Sequence, residues 1–389
     1  MERHTWLDET TLRVETYRSG FFTFQIGLDM PSLMPLFDRV ADAQERFSKL
    51  SLWQISAQLE KEVIAASVFG TNTIEGGDLS EEETSAVLQL SPEQIQQEAE
   101  RRIINIRNAY HFAKKLAEDI RSTSTTYRFD PSHTKIIHSL ISANLTEEHN
   151  PPGEYRDNIK GQPTFVGDAA HGGQYRPPKC KDDVEMLMQA LALWINSPTV
   201  LSLPSVIRAS LLHLYFELIH PFWNGNGRTG RVLEALVLQS SHFIYAPFAM
   251  ANYYLEHIHE YFALFNQARK AALNKEDAPN QKFVLFFLQG MLQVINKLHD
   301  RVSNMISILL FNFRLTMARQ NKQINERQYA IAHELMTQLT PITKDDLIKK
   351  PWYRVLYSKL SAKTAQRDLA KLIEEGYLME HEGVLVTRF

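Results

Sequence analysis

Two segments placed end to end limit what this chain can become: "PSVIRASLLHLYFELI", residues 204–219, and "HPFWNGNGRTGR", residues 220–231. The first is apolar on nearly all sides at helical spacing, so it reads as a central helix buried on every face. The second holds a histidine, three glycines, two asparagines and two arginines, residue types that build cores poorly. The helix has to stop near His220, because Pro221 disfavours helical geometry in the residue before it. The next helix pattern, "RTGRVLEALVLQ", is again mostly apolar and is expected to start near Arg228.

The residues between these helices suit an anion. Glycines at 225 and 227 let the backbone turn tightly and bring its N–H groups close to a ligand. The following helix directs unpaired N–H groups and its positive dipole end at the same spot, and phosphate is the natural guest. Arg228 and Arg231 share a face of the first turn. Arginines are electrostatically unfavourable at a helix N-terminus unless a multiply charged anion sits there. His220 borders the same place, where a histidine can take a proton from an incoming hydroxyl. The plainer alternative is a helix–loop–helix corner with a satisfied histidine and surface arginines. The Walker phosphate loop is excluded, since no Gly-Lys-Ser/Thr follows the glycines.

Elsewhere the chain alternates helical patterns with punctuation. Residues 1 to about 45 show no clear period. A helical pattern runs from about Asp38 to Val68 and ends in "FGTNTIEGG", with Gly76 and Gly77 as stop signals. "SPEQIQQEAERRIINIRNAYHFAKKLAEDI" is expected to open its helix with Ser91 as N-cap and Pro92 at the first helical position, and "DPSHTKIIHSLISANL" repeats that opening with Asp130 and Pro131. Residues 150–178 are loop-like and rich in Pro and Gly, and "GQPTFVG" within them reads as a short hairpin. "KDDVEMLMQALALWINS" returns to helix. After about residue 280 come further helices; then "ITKDDLIKK", "SAKTAQRDLAKLIEEGYL" and "GVLVTRF" give helix, turn, helix and a β-rich tail, the order of a winged helix-turn-helix. Lys363, Thr364, Gln366 and Arg367 crowd the first turn of its second helix, where a helix in the major groove makes base contacts.

With 389 residues, 44% hydrophobic and 22% charged, the chain has the composition of a soluble globular protein of two or three domains. A formal charge of -3 implies no global attraction to nucleic acid. The single cysteine, Cys180, excludes an internal disulfide and suits a reducing compartment. "MERHTWLDET" lacks the apolar core of a secretory signal, and "FVLFFLQGML" is too short to span a bilayer, so a cytoplasmic protein without a membrane partner is expected.

The stretch from His220 to Arg231 closely resembles the signature of the Fic family, His-Pro-Phe-x-Asp/Glu-Gly-Asn-Gly-Arg-x-x-Arg. A weaker likeness covers about residues 50 to 270, including "GEYRDN". Fic proteins are helical enzymes, most of which transfer AMP from ATP to a hydroxyl side chain of a protein. The resemblance implies a mainly α fold: a Fic-type helical core with a short β-hairpin flap, joined here to the small C-terminal winged helix-turn-helix (α+β). It implies His220 as general base, Phe222 as loop anchor, and Gly225, Asn226 and Gly227 cradling the α-phosphate. Arg228 would hold the β-phosphate and Arg231 the γ-phosphate. Gly161, Gln162, Pro163, Thr164, Phe165 and Val166 occupy the place of the flap, which pairs with the target segment by strand addition. One position departs: Asn224 stands where the family has the carboxylate that holds Mg²⁺, so the resemblance implies Mg²⁺ or Mn²⁺ held more weakly.

"TNTIEGG" resembles the family's inhibitory motif, Ser/Thr-x-x-x-Glu-Gly/Asn, with Thr71, Glu75 and Gly76 in register. Glu75 would then pair with Arg231 and take the γ-phosphate place. The expected division is 1–100, an N-terminal region carrying the motif at 71–76; 101–275, the catalytic core; 276–319, a helical connector; and 320–389, the winged helix. The function implied is a protein adenylyltransferase inhibited in cis. Two alternatives stand: an enzyme that removes AMP from a modified protein, and a DNA-binding regulator with a degenerate nucleotide-sensing site. The implied partners are a target protein bearing a Ser, Thr or Tyr hydroxyl, the chain itself included, DNA for the C-terminal unit, and, as an open alternative, a second copy of the chain.

Overall fold

The computed structural model describes residues 3–50, 55–146, 149–158, 164–167, 174–338 and 340–388. It is mainly helical and divides into two compact units, Met1–Leu298 and His299–Phe389.

The first unit opens with an antiparallel meander of β1 (His4–Asp8), β2 (Thr11–Glu15) and β3 (Phe21–Gln25), in that spatial order. This corrects the reading of the first 45 residues as patternless. Each strand has five residues, and only β2 buries alternate apolar side chains, Leu12 and Val14, so the period is too short to register. The helices α1 (Met30–Ser48) and α2 (Ser56–Ile74) divide the pattern that runs from Asp38 to Val68. Then come α3 (Glu81–Val87), α4 (Glu98–Ser122) and α5 (Pro131–Ser142). Helix α4 starts later than Ser91 and Pro92 imply. Ser91 and Gln94 close a single 3₁₀ turn, Ile95 is extended, and Glu100 instead accepts from the Gln96 and Gln97 N–H groups at 2.9 and 3.0 Å. Asp130 does cap α5, accepting from Ser132 N at 2.8 Å.

Next are α6 (Lys181–Ile195), α7 (Pro198–Leu201), α8 (Ser205–Ile219), α9 (Asn226–Gln239), α10 (Ala246–Glu256) and α11 (Ile258–Leu273). Every residue of α8 from Val206 to Ile219 is buried, as its all-round apolarity requires. Helices α6, α9 and α11 pack against it. The β-meander is pinned to this core by Asp183 of α6, which accepts from Tyr17 N (2.6 Å), Arg18 N (3.1 Å) and Ser19 Oγ (2.7 Å). Helix α12 (Gln281–Gln320) carries the chain from the first unit into the second.

The second unit contains α13 (Glu326–Gln338), β4 (Ile342–Thr343), α14 (Lys344–Lys349), α15 (Pro351–Leu356), α16 (Ala362–Glu374), β5 (Leu378–His381) and β6 (Val384–Thr387). The three strands form an antiparallel sheet in the order β4-β6-β5. Leu335, Leu347, Leu372 and Leu385 meet in its core. Asp368 fixes α16 to its neighbours by accepting from Arg327 Nε (2.8 Å), Asn325 Nδ2 (3.1 Å), Gln328 Nε2 (3.1 Å) and Tyr357 Oη (2.8 Å).

Candidate active site

The turn between α8 and α9 is fixed by two left-handed residues. His220 ends α8 with φ 52°, an uncommon conformation without glycine, and its N–H donates to Phe216 O at 2.8 Å. Gly225 precedes α9 with φ +81°, where a side chain would be strained. Helix α9 therefore begins at Asn226, two residues earlier than its apolar pattern implies.

Arg156 holds the histidine in place. It is fully buried, and its Nε donates to His220 O at 2.6 Å, its Nη2 to Ile219 O at 3.2 Å and its backbone N–H to Pro221 O at 2.9 Å. One residue thus satisfies three successive carbonyls at the negative end of α8. Burial draws its pKa down to about 10. Its Nη1 also reaches Asn158, whose Nδ2 donates to Thr164 Oγ1 at 2.8 Å.

The floor of the loop is aromatic. Phe222 is completely buried and stacks on His138, with ring centroids 3.8 Å apart and planes 2° from parallel. Gly153 N donates to His138 Nδ1 at 2.9 Å, so the ring hydrogen sits on Nε2, which donates to Asn224 O at 3.0 Å. Burial pushes the pKa of His138 down to about 4 and keeps this ring neutral. The Asn226 side chain brackets Phe222, accepting from its N–H at 2.9 Å and donating to its carbonyl at 2.8 Å. Only the backbone of Asn226 is left to face an anion.

Asn224 is committed as well. Its Oδ1 accepts from Gly225 N at 2.6 Å and from Arg228 Nη2 at 3.1 Å. An oxygen already held by a guanidinium is a poor cation ligand. Among the described residues, no group of three or more His, Cys, Asp or Glu could hold a metal ion. The Asn224 oxygen is thus turned to the loop backbone and to Arg228.

The first intrahelical bond of α9 runs from Thr229 N to Gly225 O, at 2.9 Å. The N–H groups of Asn226, Gly227 and Arg228 lie before it, at the positive end of the helix. Across them lies Glu75, the C-cap of α2. Its Oε1 accepts from Arg231 Nη2 at 2.7 Å, and Arg231 Nη2 also reaches Thr71 O at 3.3 Å. A Cβ on Gly227 would collide with that carboxylate oxygen. The Arg231 side chain is 2% exposed and that of Glu75 21%. Burial opposes the charge of Glu75, but Arg231, Arg228 and Arg102 outweigh it and hold the carboxyl below its ordinary value. Burial likewise opposes the charge of Arg231, and Tyr261 and Glu75 outweigh it and hold the guanidinium above its ordinary value. Thr71 Oγ1 lies 3.0 Å from Tyr110 Oη, Arg102 Nη2 donates to Glu75 O at 2.7 Å, and Gly76 leaves the helix at φ +77°.

These groups line a cleft of about 110 Å³ whose walls include Glu75, Phe165, Val166, Glu217, His220 and Arg231. Glu217 Oε2 lies 3.3 Å from His220 Nδ1, within ion-pair reach. Val166 and Tyr175 exchange backbone hydrogen bonds of 3.0 and 3.1 Å. Val166 of the "GQPTFVG" segment thus has its antiparallel partner, Tyr175, beyond that heptapeptide. Gly161, Gln162 and Pro163 lie outside the described residues. Sequence reasoning singled out neither His138, Arg156 nor Glu217. The "GEYRDN" likeness was the one signal that pointed near Arg156.

The Fic/DOC family model matches residues 128–238, the span holding α5 through most of α9. The match makes residues 128–238 a Fic domain. It is 35% identical over 94 residues to a protein adenylyltransferase Fic of Drosophila erecta, which covers 24% of this chain and 19% of that protein. It is 26% identical over 188 residues to a probable protein adenylyltransferase of Aquifex aeolicus (strain VF5), covering 47% of this chain and 55% of that one. The chain thus spans about a fifth to about half the length of these relatives. Its fold is similar to that of a Fic family protein from Desulfovibrio desulfuricans G20, with a TM-score of 0.55 at 18% identity over 92% of this chain and 96% of that one. The C. elegans Fic-1 fragment gives a TM-score of 0.52 at 20% identity over 72% of this chain and 75% of the fragment. No helix among the described residues is long and apolar enough to cross a membrane.

Proposed function

We propose that this Fic protein transfers AMP from ATP to a hydroxyl side chain of a protein and that Glu75 holds it off in cis. The ion pair between Glu75 and Arg231, laid across the N-terminus of α9, carries this reading. An internal carboxylate occupies a place suited to a ligand phosphate, held by a buried arginine beside the N-terminal end of a helix. ATP then lies along the loop with its α-phosphate at the N–H groups of Asn226, Gly227 and Arg228. Its β-phosphate meets Arg228 and its γ-phosphate meets Arg231. His220 takes the proton of the attacking hydroxyl, and the hydroxyl oxygen bonds to the α-phosphorus. The bond from that phosphorus to the bridging oxygen of the β-phosphate breaks, and pyrophosphate leaves with the electron pair. Phe165 and Val166 border the path by which the hydroxyl arrives.

The test uses the whole chain with ATP labelled on its α-phosphate, in a mixture of candidate target proteins. Label moves to protein, and His220→Ala abolishes transfer while nucleotide binding survives. General-base removal costs roughly 10²- to 10⁴-fold. Equal transfer by the variant and the parent refutes the role of His220. Nucleotide binding without any transfer refutes the enzyme and leaves a nucleotide sensor.

For the rest of the chain we infer that residues 1–100 carry the brake, 101–275 the chemistry and 276–319 the connection to a winged helix at 320–389. The helices α13 to α16 with the three-stranded sheet support that last reading. Ser361 Oγ caps α16, accepting from Thr364 N at 3.3 Å, and Lys363, Gln366 and Arg367 are exposed at its N-terminal end. Cationic and amide side chains so placed suit a DNA major groove.

A further inference from the structure

Behind Arg231 runs a line of buried polar groups that the reaction above leaves unused. Arg231 Nη1 donates to Tyr261 Oη at 3.3 Å, Tyr261 Oη lies 3.0 Å from His213 Nε2, and His213 Nδ1 contacts Glu234 Oε2. Tyr254 Oη donates to the same carboxylate oxygen at 2.7 Å. Four helices contribute: α9 gives Arg231 and Glu234, α8 His213, α10 Tyr254 and α11 Tyr261. All five residues are buried.

Donor counting sets the direction of the line. A guanidinium only donates, so the Tyr261 oxygen accepts from Arg231 and its own hydrogen points to His213 Nε2. A carboxylate only accepts, so His213 carries its hydrogen on Nδ1 and gives it to Glu234. Each bond polarises the next in one sense, from a cation at one end to an anion at the other.

Such an arrangement matters when Glu75 leaves. Arg231 would then be a buried cation with its nearest carboxylate gone, which is costly. The Nη2 edge that held Glu75 becomes available to a phosphate, while the Nη1 edge keeps Tyr261. We propose that Tyr261, His213 and Glu234 are positioning residues that hold the Arg231 guanidinium ready for the γ-phosphate when Glu75 is out of the site. This rests on the adenylyl-transfer reading.

The test is calorimetric titration with ATP and with ADP, which lacks the γ-phosphate, in the Glu75→Gly, His220→Ala background where neither brake nor turnover interferes. Tyr261→Phe keeps the ring and deletes the hydroxyl. ATP binding is expected to weaken roughly tenfold, about 1.4 kcal/mol, and ADP binding less than twofold. His213→Gln, whose amide can accept from Tyr261 and donate to Glu234, retains the ATP preference, whereas His213→Leu loses it. That pair decides the matter if Tyr261→Phe does not fold. ATP and ADP weakening alike, or neither weakening, overturns the proposal. A background protein that binds no ATP at all refutes the nucleotide reading beneath it, a result distinct from an unchanged ATP-to-ADP ratio.

Discussion

Replacing Glu75 with glycine tests the brake directly. The pair it breaks has one charge-assisted contact of 2.7 Å, with Arg231 2% and Glu75 21% exposed. A hydrogen bond to a charged group contributes about 1.5 to 3 kcal/mol net. Partial exposure of Glu75 argues for the lower half of that range, about 2 kcal/mol. If that energy separates the blocked arrangement from one open to the γ-phosphate, only about 3% of molecules are competent at any moment. Removing the carboxylate makes all of them competent, so transfer should rise roughly 30-fold. The assay is the initial rate of α-phosphate label entering protein, with wild type and variant side by side. A thermal melt checks that the variant is folded, since Glu75 also ends α2 against Arg102. A folded variant whose rate rises less than about twofold refutes the competition for Arg231. A fall in rate would assign Glu75 to the chemistry itself, as removal of AMP requires.

The same pair has a pH signature. Glu75 titrates below its ordinary value of 4.5, so its contribution to stability is complete above that value and is lost as pH falls through the lower folded one. Melting temperatures of wild type and Glu75→Gln should converge below pH 4.5 and separate above it; a gap that widens on acidification reverses the sign. Arg156→Met leaves the carbonyls of Ile219 and His220 without their side-chain donor, at a cost of about 3 kcal/mol, read from thermal or denaturant unfolding. A loss under about 1 kcal/mol would show that other groups replace it. The whole chain should bind mixed duplex DNA with affinity falling steeply in salt, by a log-log slope of about -0.9 per phosphate contact, and Lys363→Ala with Arg367→Ala should flatten that slope. No binding near 50 mM salt would make the C-terminal unit a protein-interaction module.

The sequence by itself determined what depends on neighbours along the chain. Residues 204–219 had to be an inner helix because no face of it is polar, Pro221 had to stop it, and Asp130 had to cap α5. The glycine-bounded loop before α9 was legible for the same reason. Short elements were not legible. Five-residue strands carry too little period, and at Ser91 a capping signal closed one turn while the helix waited for Glu98. Tertiary structure alone decided which groups meet. Glu75 reaches Arg231 across 156 residues, Arg156 reaches the carbonyl of His220 across 64, and His138 lies under a loop 86 residues on. It also decided that Asn224 faces Arg228, and that His213 and Glu234, which read as polar interruptions in apolar helices, face each other. Backbone conformation follows local sterics and capping, which act over a few residues. The partner of a side chain is set by which helix faces pack together, and that is settled only when the whole core excludes water.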